Sequence, residues 1–155
     1  MDETERAIAK VRRNHARPDP EEDARRARLA MEGAFEEALV TGFEPIENGL
    51  TALPDLGDAH VIAAAIQTSA SLIVTNNLKD FPAEILGEHG IEARSANDFL
   101  ADTIDLKPKK AAEALAVMRQ RFKNPAITAE DLLLKMEANG LGEAADLLRE
   151  YSNSL

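Results

Sequence analysis

The chain reads as an α/β protein with a parallel sheet followed by an all-helical tail, on three observations. Helical periodicity alternates with short β-branched runs between residues 20 and 105, the pattern of a parallel α/β sheet. The run SLIVT at 71–75 is apolar without alternation and follows an Ala-rich helix, as a covered parallel strand should. From Pro108 onward strand signals cease and only helical spacing remains. The expected organisation is a sheet-containing domain over residues 1–106 and a helical extension over 107–155.

Taken in order, residues 2–16 predict a helix with Ala7, Ile8 and Val11 on one face, ended by Pro18. Asp19 caps a second helix, with Pro20 in its first turn and Glu21, Glu22 and Asp23 near its positive end. That helix should run to about Ala38 and turn Leu29, Met31 and Phe35 inward. Residues 38–41 (ALVT) predict a short strand, and 42–56, with two glycines and two prolines, a loop. The helix of about 58–68 is apolar nearly all round and should be buried. After SLIVT come a short helix over 81–88, a strand over 90–93, and a helix from Ser95 to Asp102 with Ser95 as its cap. In the tail, 109–122 places Leu115, Met118 and Phe122 on one side. Thr128 with Asp131 opens a helix that Asn139-Gly140 closes, and 142–151 forms the last one.

The chain has 155 residues, long enough for a sizeable core, and an ordinary globular balance of 45% apolar and 30% charged residues. It has no cysteine, which excludes disulfides and thiolate zinc sites. Its start, Met-Asp-Glu, is unlike a signal peptide, and a cytoplasmic protein is expected. Net charge is −10, unevenly spread: residues 31–105 carry −12 and 107–123 carry +5. So acidic a middle repels a polyanion unless cations offset it, which argues against a passive nucleic-acid coat. A helix-turn-helix reader over 128–151 is disfavoured too, because residues 124–155 carry −4. No Gly-x-Ser-x-Gly elbow, phosphate-binding glycine loop or HExxH pattern occurs.

The most informative stretch is 53–82, LPDLGDAHVIAAAIQTSASLIVTNNLKDFP. It places Asp58 before the Ala-rich helix, and Asn77 and Asp80 in the loop after the strand. All three fall at one edge of the sheet, and converging oxygen ligands there suit a hard cation. Each residue also has a plainer reading. Asp58 is an acceptable helix cap, Asp80 can cap the helix that follows it, and Asn77 is at home in a turn. Asp55 reads as a loop acid. His60, two residues past Asp58, reads as a packing or capping histidine.

This stretch resembles the PIN-domain nucleases, the family that includes the toxins of VapBC toxin–antitoxin pairs. Asp58 followed by HVIAAAI looks like the family's acid at the start of its Ala-rich helix. Thr75-Asn76-Asn77-Leu78-Lys79-Asp80-Phe81-Pro82 is similar to the TxNLxDFP pattern of one subfamily, and many relatives carry Asp where this chain has Asn77. Glu3 resembles the family's second acid, and the tail from 108 that subfamily's helical extension. The resemblance implies a three-layer α/β/α PIN-like fold and a metal-dependent endoribonuclease using Mg²⁺ or Mn²⁺. Asp58, Asp80 and Glu3 would be catalytic, and together with Asn77 would hold the metal. Thr75 and Asn76 would support them, and Lys109, Lys110 and Arg119 would steer RNA.

The family's first strand, which ends in an essential Asp, has no counterpart here. The resemblance therefore implies an N-terminally truncated PIN-like domain over 1–106: one half of a split nuclease, an inactive remnant that binds other proteins, or an incomplete piece. The partners implied are an antitoxin, an N-terminal complementing fragment, RNA if active, and further copies in a homo- or hetero-oligomer, with no membrane.

Overall fold

The structure, a computed structural model, describes residues 3–14 and 19–155, without the side chains of Glu3, Thr4, Ala7, Arg12 and Asn14. The expectations placed on Asp2, the Ala7 side chain and Pro18 lie outside these residues. Two compact units are present, residues 1–43 and 44–155.

The first unit contains α1 (Glu3–Asn14) and α2 (Pro20–Ala34). The ion pairs Arg13–Glu21 and Arg28–Glu5 run in opposite order along the two helices, so the helices are antiparallel. The expected start of α2 is present: the Asp19 carboxylate accepts from the Glu22 amide at 3.0 Å. Its inward face differs from the expected one. Ala24 is buried and Asp23, Ala27, Arg28 and Glu32 are half-buried, whereas Leu29, Met31 and Phe35 are exposed. A two-helix hairpin covers one stripe of each helix, and here that stripe is Ala- and charge-lined. Small side chains allow close approach, and Arg28 bridges Glu5 at 2.9 Å and Glu32 at 2.6 Å. Val11 is likewise exposed, and Ala9 takes the buried place on α1. The strand expected over 38–41 is not formed. Glu36–Ala38 is a 3₁₀ turn, and 39–41 has no strand partner.

The second unit begins with a short helix, α3 (Glu44–Glu47), inside the expected loop. A 3₁₀ turn over Leu56–Asp58 leads into α4 (Ala59–Gln67). There follow β1 (Leu72–Val74), a 3₁₀ turn over Leu78–Asp80, α5 (Ala83–Glu88) and β2 (Glu92–Arg94). The strands pair in parallel, with Leu72 opposite Glu92 and Val74 opposite Arg94, so β1–α5–β2 is one crossover unit. Its core is built from Ile62, Ala65, Ile73, Phe81, Leu86 and Ile91. The chain is mostly helical with a small parallel sheet, consistent with an α/β fold. Among the described residues that sheet has two strands, and Val74 is left exposed on β1.

After β2 come four helices: α6 (Ala96–Leu106), then in the tail α7 (Pro108–Arg119), α8 (Ala129–Ala138) and α9 (Gly142–Arg149). They share a core of Ile104, Ala112, Leu133, Ala144, Ala145, Leu148 and Leu155. Met118 and Phe122, expected on the packed side of α7, are exposed, because Ala112 and Leu115 supply its contact. Ser95 caps α6 as expected, accepting from the Asp98 amide at 3.1 Å. The start of α9 is capped from another helix. Leu141 has no capping side chain, and Asn97 of α6 accepts from Glu143 N at 3.0 Å and Ala144 N at 3.3 Å. This cross-helix cap locks α6 to α9.

The Thr128–Asp131 capping box is complete, with Asp131 N to Thr128 Oγ1 at 3.0 Å and Thr128 N to Asp131 Oδ2 at 2.9 Å. The Thr128 backbone N–H, and then its hydroxyl, hold the Asp131 carboxyl below the usual carboxylate range. A lowered folded-state pKa means that its contribution is present above the unfolded value and lost as pH falls through the folded one. Thr128→Ala removes the hydroxyl that caps the Asp131 amide and should cost about 1 kcal/mol, read by denaturant unfolding. Asp131→Asn removes the carboxylate that accepts from the Thr128 N–H, so its cost should be present at neutral pH and fade as pH falls below the carboxylate range; an equal cost at both would disprove the reciprocal half of the box.

No helix among the described residues is long and apolar enough to cross a membrane.

Candidate metal centre

Asp58 and Asp80 come together, and Asp55 joins them. One carboxylate oxygen from each lies within 4.8 Å of the other two. The two strands are parallel, so this cluster sits beyond the carboxyl end of β1, where parallel sheets place their ligands.

The local sequence explains the convergence. Asp55-Leu56-Gly57-Asp58 folds as a turn in which Asp55 Oδ1 accepts from Gly57 N at 2.8 Å. A Cβ at Gly57 would stand 3.0 Å from that same oxygen, so glycine is what lets the Asp55 carboxylate close onto the turn. Asp55 thereby caps the turn that leads into α4. Asp58 stands at the N-cap of α4, yet its side chain makes no capping bond. The plain reading of Asp58 as a helix cap thus does not describe its carboxylate. Its contact is instead Asn77, whose Nδ2 donates to Asp58 Oδ2 at 3.4 Å. His60 Nδ1 lies 2.8 Å from Gly57 O and bonds that carbonyl, which fastens the turn but is not a helix cap.

The loop after β1 is pinned at several points. Thr75 N donates to Arg94 O at 2.9 Å, extending the parallel ladder. The Thr75 hydroxyl accepts from Asn77 N at 3.1 Å, and Asn76 Oδ1 accepts from Ala96 N at 3.2 Å, tying the loop to the start of α6. Phe81 is buried among Ile62, Ile73 and Leu86, which anchors Asp80 immediately before it. The Asp80 side chain is 13% exposed and does not cap α5, whose N-cap is Pro82. The exposed Lys79 Nζ lies 3.8 Å from Asp80 Oδ2.

The other expected residues fall elsewhere. Glu3 opens α1 in the first unit, and its side chain lies outside the described residues. Lys109 and Lys110 are exposed in the first turn of α7. Arg119 is half-buried, with Nε on Leu155 O at 2.8 Å and Nη1 on Ile127 O at 2.9 Å. Two of its donors are therefore spent on holding the chain end and the α7–α8 loop. Asp55 is the member that sequence reading left as a loop acid. Its signal was the Asp-x-x-Asp spacing across a glycine, just ahead of the Ala-rich helix.

The family model of the VapC50 C-terminal domain matches residues 96–150, which are α6 to α9 and the residue after them. Over 76 residues the chain is 38% identical to "Putative ribonuclease VapC50" of Mycobacterium tuberculosis. Over these residues the chain is similar to VapC50. That alignment covers 49% of this chain and 45% of the VapC50 protein, so the VapC-like match spans under half of that relative's length. No solved structure matches the chain.

Proposed function

We propose that this VapC-like chain is a component of a metal-dependent endoribonuclease, with Asp55, Asp58 and Asp80 as its Mg²⁺ or Mn²⁺ ligands. The carrying observation is that three carboxylates gather within 4.8 Å of one another while the Asp58 and Asp80 side chains do no helix-capping work. The all-oxygen donor set fits a hard divalent cation. When bound, Mg²⁺ or Mn²⁺ supplies an activated water for phosphodiester hydrolysis and offsets charge developing on the phosphate.

The chain's own residues prepare that site. Asn77 orients Asp58 through its amide, the Thr75 hydroxyl fixes Asn77, and Asn76 and Phe81 hold the loop at its two ends. Lys79 brings a positive charge to the rim of Asp80, where an approaching phosphate would meet it. In this reading the β1–α5–β2 unit is part of a PIN-like three-layer sheet, completed by strands from a complementing fragment or another copy. A sheet edge left unpaired invites such pairing.

The test is a melt of chelator-treated protein with and without Mn²⁺. Saturation at a hundredfold over Kd adds about 2.7 kcal/mol, or roughly 10 °C for a unit of this size. RNA cleavage is followed in parallel. No shift in the wild type would sink the metal reading. A second reading, a catalytically inactive module that binds an antitoxin or complementing fragment, draws on the exposed Leu29, Met31, Phe35 and Leu39. A Mn²⁺ shift without any RNA cleavage, together with a stable complex, would favour it.

A further inference from the structure

The basic run of the tail is divided by α7. Its 12 residues span about 18 Å, so Lys109 and Lys110 stand at one end and Arg121, Phe122 and Lys123 beyond the other. At that second end is a groove of about 480 Å³, lined by Arg121, Phe122, Lys123, Ile127 and, from α8, Lys135. No carboxylate lines it.

The cations of this groove differ from the other arginines of the second unit. Arg94 is committed to Asp102 and Glu92, and Arg149 to Glu130, Glu137 and Asp146. Arg121, Lys123 and Lys135 make no ion pair among the described residues. On α8, Lys135 has Asp131 one turn before it, held by Thr128 and within the field of Lys135, and Glu137 two residues after it, bonded to Arg149. Phe122 stands between Arg121 and Lys123 and is 49% exposed. Arg121 and Lys123, which make no ion pair among the described residues, flank an exposed aromatic ring and share the groove with Lys135, a local positive patch in a chain of net charge −10.

We propose that this groove binds single-stranded RNA, with Arg121, Lys123 and Lys135 on backbone phosphates and Phe122 stacked against an unpaired base. Charge complementarity selects a polyanion, and the exposed ring selects one whose base faces are open, which a duplex does not offer. The choice of RNA rests on the ribonuclease reading above. Arg119 acts here as a positioning residue. Its bonds to Ile127 O and Leu155 O hold the loop that carries the groove, consistent with the antiparallel bridge between Lys123 and Ala126.

The experiment measures fluorescence anisotropy of a labelled 12-nucleotide single-stranded RNA in EDTA, so that cleavage does not intervene, across a salt series. Wild type should bind, and the triple variant Arg121→Gln, Lys123→Gln, Lys135→Gln should weaken binding at least tenfold. Its slope of log K against log salt should be shallower by about 2, at about 0.7 per cation for a single strand. Phe122→Ala should lose about tenfold while keeping the wild-type slope. All these side chains are exposed or at the surface of the loop, and unchanged melting of the variants checks that they fold.

Wild-type binding retained by the triple variant overturns the proposal. So does a loss seen on neutralising Lys109 and Lys110 but not the groove. Sedimentation with phosphatidylglycerol vesicles without RNA binding overturns it in favour of a lipid surface. The Mn²⁺ melt separates the two readings. A shift without RNA binding removes the groove alone, and RNA binding without a shift removes the metal centre alone.

Discussion

Asp58→Asn should abolish the Mn²⁺-induced rise in melting temperature and reduce any RNA cleavage by at least a hundredfold, while leaving the metal-free protein as stable as wild type or slightly more so. Outer-shell substitutions at metal sites already cost about 10–100-fold, and a direct ligand should cost no less. The stability half of the result follows from the missing cap. Since Asp58 makes no capping bond, even Asp58→Ala should change the metal-free stability by no more than about 0.5 kcal/mol. Removing one of three clustered like charges relieves repulsion in the absence of a cation. Asp55→Ala is the contrasting variant. It loses the bond to Gly57 N along with a ligand, so both the metal-free melt and the metal response should fall. If Asp58→Ala costs a kilocalorie or more in EDTA and leaves the Mn²⁺ response intact, Asp58 is a structural cap and the centre is misassigned.

What could be read from the chain beforehand follows how local each cause is. Caps and turn residues act within three or four positions, so Asp19, Ser95, Thr128–Asp131 and the close at Gly140 are visible as sequence patterns and present in the fold. The buried helix α4 and the parallel pairing of β1 were legible because a run without alternation has few other uses. The phase of α2 was not legible. Large apolar residues there point outward, and the contact with α1 is made by alanines and the Arg28 ion pairs, a choice that depends on the partner helix. Residues 38–41 have strand-like composition, but a strand requires a neighbour, and none pairs with them. At the candidate centre, the proximity of Asp58, Asn77 and Asp80 was legible because their loops flank one strand, whereas Asp55 looked like an ordinary turn acid. Arg119 sits in a basic run, and only the fold brings the carbonyls of Ile127 and Leu155 to its guanidinium. The cap of α9 by Asn97, 46 residues away, could not have been inferred from any local pattern.

Leu148→Ala should cost about 3–5 kcal/mol, the largest stability loss expected from a single substitution in the tail. Leu148 is fully buried at the centre of a core otherwise rich in alanine, with Leu133 the only other large side chain there that is under 2% exposed. The alanines of that core cannot refill the space, while larger side chains packed against it, such as Leu115 and Met136, can do so in part. The cost should lie within the range for Leu→Ala, in which residual cavity adds to lost burial. Against a domain stability of about 5–15 kcal/mol, that is enough to populate unfolded protein at physiological temperature. The consequence should reach the metal centre by a definite route. α9 is bonded to Asn97 of α6, and the first residue of α6 donates from Ala96 N to Asn76 in the loop that carries Asn77 and Asp80. Loosening α9 should weaken Mn²⁺ binding several-fold as well as lowering the unfolding midpoint, whereas Thr128→Ala, on α8, should lower the midpoint alone. Urea unfolding with and without Mn²⁺ measures both quantities. A loss below about 1 kcal/mol would mean that the four-helix core collapses around the deleted side chain. Unchanged Mn²⁺ affinity alongside a full stability loss would show that the Asn97–Asn76 connection does not couple the tail to the site.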